Sequence, residues 1–201
     1  MSTDTSTLSL LERAVRQMDS IIGQVRPEQG SLPTPCGEWD VRALITHLVG
    51  HMMPNFVAAA NGGTPDWQAP AAAVPDDWAQ AFRGEADQLL GAWRGADMDR
   101  LVAWGGAQAP LRGHADQQIT ELAMHSWDLA KATSQDVPLD PSVAEHALNW
   151  SKPMLRPEYR GSGRGFADEV PVPQDAPIYG QLAGWFGRDP GWAETQPGAG
   201  E

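Results

Sequence analysis

Cysteine is almost absent from this sequence: Cys36 stands alone in 201 residues. That excludes an internal disulfide and a cysteine-based zinc knuckle. Basic residues are scarce as well, 14 Lys and Arg against 26 Asp and Glu, for a formal net charge of −12. Such a surface repels phosphate backbones and anionic bilayers, so neither nucleic acid nor a membrane is expected as a partner. The opening "MSTDTSTLSLLERAV" has no basic n-region before its short apolar stretch and does not read as a signal peptide. No apolar run approaches the ~20 residues that span a bilayer. There is no internal repeat, and "GSGRG" at 161–165 lacks the preceding strand and following helix of a phosphate-binding loop. A soluble, cytoplasmic protein acting on a small molecule is expected; a homodimer is compatible with the sequence but not required by it.

What is present is core material, 41% hydrophobic residues including nine Trp, broken by 21 Gly and 17 Pro that promise long loops. Leu8, Leu11, Ala14, Val15, Met18, Ile21, Ile22 and Val25 recur at helical spacing, predicting an amphipathic first helix that ends before Pro27. A second helix is expected from an Asp40 cap through Asn61, interrupted by Pro54 and closed by Gly62-Gly63. A third opens at Asp76. "DRLVAWGGAQAPLRGH" reads as an ordered loop or a small hairpin, and a fourth helix spans roughly His114 to Thr133. Asp140 and Pro141 begin a fifth. Residues 152–177 are expected to be loop, and "APIYGQLAGWFGR" a last short helix. The fold class is all-α: a four-helix bundle with short additional helices and a Pro/Gly-rich C-terminal segment, one domain over residues 1–192 and a disordered tail over 193–201.

Chemistry-bearing residues gather on two of these helices. In "ELAMHSWDLA", Glu121 and His125 are four residues apart and share a helix face. Two readings are open: a surface ion pair, or two of three metal ligands. On a helical wheel Gln118, Glu121, His125 and Asp128 form one stripe, while Ile119, Leu122, Ala123, Leu129 and Ala130 form the apolar face. In the second helix the only ionisable groups between Arg42 and Asp66 are His47 and His51. His47 lies among Leu44, Ile45, Leu48 and Val49, where a buried imidazole needs a partner, because an unsatisfied polar group costs about 1–3 kcal/mol. A core histidine bonded to a carbonyl or carboxylate meets that need, and so does a metal ligand. Two histidines and a carboxylate from two bundle helices suit zinc or a similar divalent ion and leave a coordination position free.

The stretches "TPCGEWDVRALITHLVGH" and "ELAMHSWDLAKAT", with the ending "VPVPQDAPIYGQLAGWFGRDPGW", resemble the DinB-like superfamily. The closer similarity is to its actinobacterial branch, which includes the N-terminal domain of mycothiol-dependent maleylpyruvate isomerase. The resemblance implies a four-helix bundle holding a divalent metal, often zinc, with nickel and iron as further candidates, through His47, Glu121 and His125. It further implies a low-molecular-weight thiol such as mycothiol, activated at the metal for transfer to, or isomerisation of, an electrophile. Coordination deprotonates a thiol, and the thiolate is the reactive form. His51 departs from the usual pattern and is expected near the metal as a proton-transfer group, a ligand or a surface imidazole. The isomerase carries a further C-terminal domain that contributes to its active site and for which this chain leaves no room, which counts against maleylpyruvate isomerisation itself. The competing functions are a non-catalytic metal-binding, small-molecule-binding or resistance protein, and a different metal-dependent reaction in secondary metabolism.

The remaining candidates have plainer readings. Asp128, one turn after His125, either accepts the imidazole N–H or is an ordinary surface or interhelical aspartate. Arg42, at odds with the helix dipole in a first turn, pairs with an acid such as Glu38 or binds an anionic substrate. Trp39 and Trp127 are expected to pack, and Cys36 to be a loop or core residue. His114 is expected at the surface or capping its helix, and His146 exposed, both outside the site.

Overall fold

The computed structural model describes residues 3–37, 39–104, 106–161 and 166–193. The expected disordered tail falls almost wholly outside them, as do Glu38 and most of "GSGRG". The first helix, α1, spans Thr3–Ile22 and buries Leu11, Ala14, Val15, Met18, Ile21 and Ile22, the stripe that the spacing marked. The second helix is continuous in direction but not in type. It comprises α2 (Val41–His47), a π-helical turn (Leu48–Met52) and α3 (Met53–Ala60). Proline explains the break. Pro54 has no N–H to give to the Gly50 carbonyl four residues back. That carbonyl is instead satisfied by Ala72 N at 2.9 Å, which docks the Pro/Ala-rich segment onto the turn. Gly50 permits the approach: a Cβ there would lie 2.2 Å from Ala72 O.

This helix corrects one expectation. Residues Val41–Ala60 make a 20-residue helix of mean hydropathy 1.2, long and apolar enough to cross a bilayer by length and composition. Its apolar length serves the bundle instead, with Val41, Leu44, Ile45, Leu48, Met53 and Phe56 in the core. Asp40 caps it as expected, accepting from Ala43 N at 2.7 Å.

Helix α4 (Trp78–Gly95) is capped by Asp77 rather than Asp76, which is free to bind Arg42. The hairpin forms, β1 (Leu101–Trp104) antiparallel to β2 (Ala107–Pro110). Helix α5 (Arg112–Ala132) starts slightly earlier than expected and is buried nearly all round. Helix α1 packs on α4 and α5, and α3 packs on α4 and α5, closing a four-helix bundle. Helix α6 (Pro141–Met154), capped by Asp140, covers the other side of α5, and α7 (Ile178–Trp185) packs on α6 and α5. Helix α6 runs past the expected loop boundary with Pro153 in its last turn. The carbonyl that Pro153 cannot bond belongs to Asn149, on the exposed face of the helix.

Candidate metal centre

Helix α2 ends at His47 where it packs against α5, bringing the His47 ring to the His125 ring. One ligand atom from each of His47, Glu121 and His125 lies within 4.8 Å of the others. His125 Nε2 is 3.3 Å from Glu121 Oε2, and the His125 ring meets the His47 ring edge-on at 5.5 Å between centroids. Donor atoms about 3.4 Å apart are what tetrahedral zinc with bonds of about 2.1 Å requires. The donor set, two imidazoles and a carboxylate, is also that of zinc and its neighbours.

The second nitrogen of His125 is held from behind. Nδ1 faces Asp128 Oδ2 at 3.0 Å, and the Asp128 side chain is fully buried. This hydrogen bond fixes the ring and directs Nε2 toward Glu121 and His47. Asp128 accepts in turn from Arg188 Nη2 at 3.1 Å. Arg188 also donates to Phe186 O at 3.0 Å and to Cys36 Sγ at 3.0 Å. Trp39 closes the opposite side, its ring 4.4 Å from that of His47. The partly open cavity between them measures about 360 Å³, with Cys36, Trp39, Glu121, Phe166, Phe186 and Arg188 among its walls.

The electrostatics follow from burial and charge. Burial, aided by the neighbouring His125, lowers the His47 pKa to about 4, so its imidazole is neutral and free to donate a lone pair. Burial alone would raise the Glu121 pKa, but its hydrogen bond to His125 and the charges of His125 and Arg188 outweigh it and hold the pKa below the ordinary carboxylate value. For His125 burial opposes protonation, and Asp128 and Glu121 together overcome it and raise the pKa. Burial pushes the Cys36 thiol up to about 11, against the pull of Arg188.

The model of the mycothiol maleylpyruvate isomerase N-terminal domain matches residues 11–130 of this chain. The chain belongs to that family. Two uncharacterised proteins of Mycobacterium tuberculosis, from strains CDC 1551 / Oshkosh and ATCC 25618 / H37Rv, are each 32% identical over 181 residues, 88% of this chain and 94% of theirs. Crystal structures of mycothiol-dependent maleylpyruvate isomerase share the fold. The wild-type protein aligns with a TM-score of 0.59 at 19% identity, covering 83% of this chain and 77% of that one. A histidine-to-alanine mutant of it aligns at 0.58 and 18%, with the same coverage. The family match includes His47, Glu121, His125 and Asp128, but the residues that close the cavity from the C-terminal side, Phe166, Phe186 and Arg188, lie beyond it.

Other sequence candidates fall to either side. His51 is one turn beyond His47, ring centroids 6.0 Å apart, and is not in the cluster of mutually close donors among the described residues. It lines an open cleft with Trp39, Arg42, His47 and Trp67. Arg42 pairs with Asp76 at 2.6 Å and stacks on Trp78. Trp127 packs, buried, under Lys131. Cys36 is a half-buried loop residue, as expected, and its thiol also lines the cavity, brought there by a contact with Arg188 that no local pattern announces. Two expectations need correction. His114 is buried rather than at the surface, because the hairpin folds back and sets Trp104 4.3 Å from its ring. His146 is part-buried and bonds Asp116 at 2.9 Å. Arg188 is the residue that sequence reading missed; an arginine after a short terminal helix carries no signal of a buried partner 60 residues away.

Proposed function

We propose that this protein is a divalent-metal-dependent enzyme that activates a low-molecular-weight thiol, mycothiol or a close analogue, toward an electrophilic small molecule. The observation that carries the reading is the convergence of His47, Glu121 and His125 donors within 4.8 Å at the wall of a partly open cavity. A structural metal site is normally closed by four protein ligands, whereas three leave room for a reacting group. Zinc suits this set best, with nickel or iron as further fits. A bound ion of this kind would lower the pKa of a coordinated thiol and supply the thiolate at neutral pH. The thiol named in the fold relatives supports that choice of co-substrate.

The chain's own residues supply the rest. Asp128 holds the Nδ1 proton of His125 and so presents Nε2, and the Arg188 hydrogen bond holds Asp128 in place. In this mechanism His51, in the open cleft beside His47, moves a proton, and Arg42 on the same cleft gives up its pairing with Asp76 to meet an anionic part of the thiol. In this reading the protein works in the cytoplasm as one domain over residues 1–192, alone or as a homodimer.

The test is elemental mass spectrometry on untagged protein, for the wild type, His47→Ala and His125→Ala. About one zinc, nickel or iron per wild-type chain, absent from both folded variants, supports the reading. Wild-type protein without stoichiometric metal, and whose melting temperature no divalent ion shifts, refutes it.

A further inference from the structure

A second cavity of about 480 Å³ adjoins the metal centre and shares Thr120, Glu121, Phe166 and Phe186 with it. That volume is in the range of small-molecule sites. Its walls are aromatic. Trp104 lies 4.3 Å from the His114 ring and meets Trp150 near edge-on at 6.4 Å, and Trp67 stacks parallel to His114 at 6.4 Å. Tyr159 joins them from the segment after α6. The polar groups are neutral ones, Gln117, Thr120 and Ser151. Among the described residues no Lys or Arg lines it, and the single carboxylate is Glu121 at the boundary with the metal centre. His114 adds no charge at neutral pH, because burial lowers its pKa, and its buried Nδ1 has no hydrogen-bond partner among the described residues.

We propose that this cavity takes the electrophilic substrate and that the substrate is an uncharged molecule with a planar, ring-like apolar body. The proposal deepens the metal–thiol reading and rests on it only for the word "substrate". In the metal-free protein an anionic ligand here would give up its hydration beside Glu121, with no Lys or Arg among the described lining residues to receive it. A cationic one would gain from the aromatic faces, but the Glu121 carboxylate it would pair with already faces His125 Nε2 at 3.3 Å. A neutral ring loses nothing and covers indole faces on several sides. A dicarboxylate is therefore the wrong ligand class for this pocket, and the face toward Glu121 presents the bound ring to the metal centre.

Calorimetry with three ligands of matched size tests this: 2-naphthol, 2-naphthoate and 2-naphthylmethylammonium, each against chelator-treated protein and against protein with one equivalent of zinc. In the chelator-treated protein 2-naphthol should bind tighter than either ion by on the order of tenfold or more. Trp104→Ala should weaken it by about tenfold. Ala103→Trp, at an exposed position on the rim, should block it while leaving the melting temperature in place. Equal or tighter binding of either ion without zinc overturns the proposal, as does binding that neither variant alters. Zinc content fails or holds independently of this result, so loss of the metal reading leaves the neutral-ligand preference measurable.

Discussion

Replacing Arg188 with methionine tests the electrostatic support of the site. Methionine keeps much of the side chain's apolar length and removes its charge and donors. The Asp128 carboxylate, fully buried, would then retain only the His125 Nδ1 contact, and Cys36 Sγ and the Phe186 carbonyl would each lose a donor. The Arg188 side chain is itself only 11% exposed, so water cannot replace it without opening the segment after α7. Removing one partner of a buried pair costs about 3–5 kcal/mol, because the remaining charge stays desolvated. For a chain of this size each kcal/mol shifts the melting temperature by about 2–4 °C, giving a fall of roughly 6–20 °C. Urea denaturation followed by far-UV and near-UV circular dichroism gives the free energy directly. Asp128→Asn in the same background should recover part of it, since the double variant buries no unpaired charge; the coupling should exceed about 1 kcal/mol. A loss under about 1 kcal/mol for Arg188→Met alone, or strict additivity in the double variant, would refute the argument.

Three further outcomes are expected. Gly50→Ala drives a Cβ to 2.2 Å from the Ala72 carbonyl, so it should release the docked segment and cost about 1–3 kcal/mol by thermal melting; an unchanged melting temperature contradicts the packing described. Trp93→Phe strands the buried Gln118 carbonyl that now accepts from the indole at 2.8 Å, and should cost about 1–3 kcal/mol in urea melts, whereas loss of a dispensable bond would show nothing. The Cys36 thiol, raised in the fold from 9.0 to about 11, should alkylate slowly in chelator-treated protein until the pH approaches 11. Because the folded value is the higher one, its contribution to stability is complete below about pH 9 and is lost as pH rises toward 11. An alkylation midpoint below pH 9 in iodoacetamide kinetics would show the thiol to be activated instead.

The sequence by itself determined the helices, because apolar spacing and caps act within a few residues. The stripe of α1, the Asp40 and Asp140 caps and the terminal helix all rest on neighbours in the chain. The pairing of Glu121 with His125 was equally legible, since one helical turn places them together. His47 was visible as an odd histidine in an apolar helix, but its partners became clear through family resemblance and then through the approach of α2 to α5. Pro54 foretold a break in the second helix but not its form: the π-turn depends on Ala72, far from Gly50 in the chain, taking the freed Gly50 carbonyl. Only the tertiary structure brought Cys36 to Arg188, across 152 residues, and Arg188 to Asp128. Only the tertiary structure buried His114 among Phe56, Trp67 and Trp104. Local patterns record the free energy of a few adjacent residues. The walls of this site are held by packing between segments far apart in the chain, where each side chain's environment is set by the others.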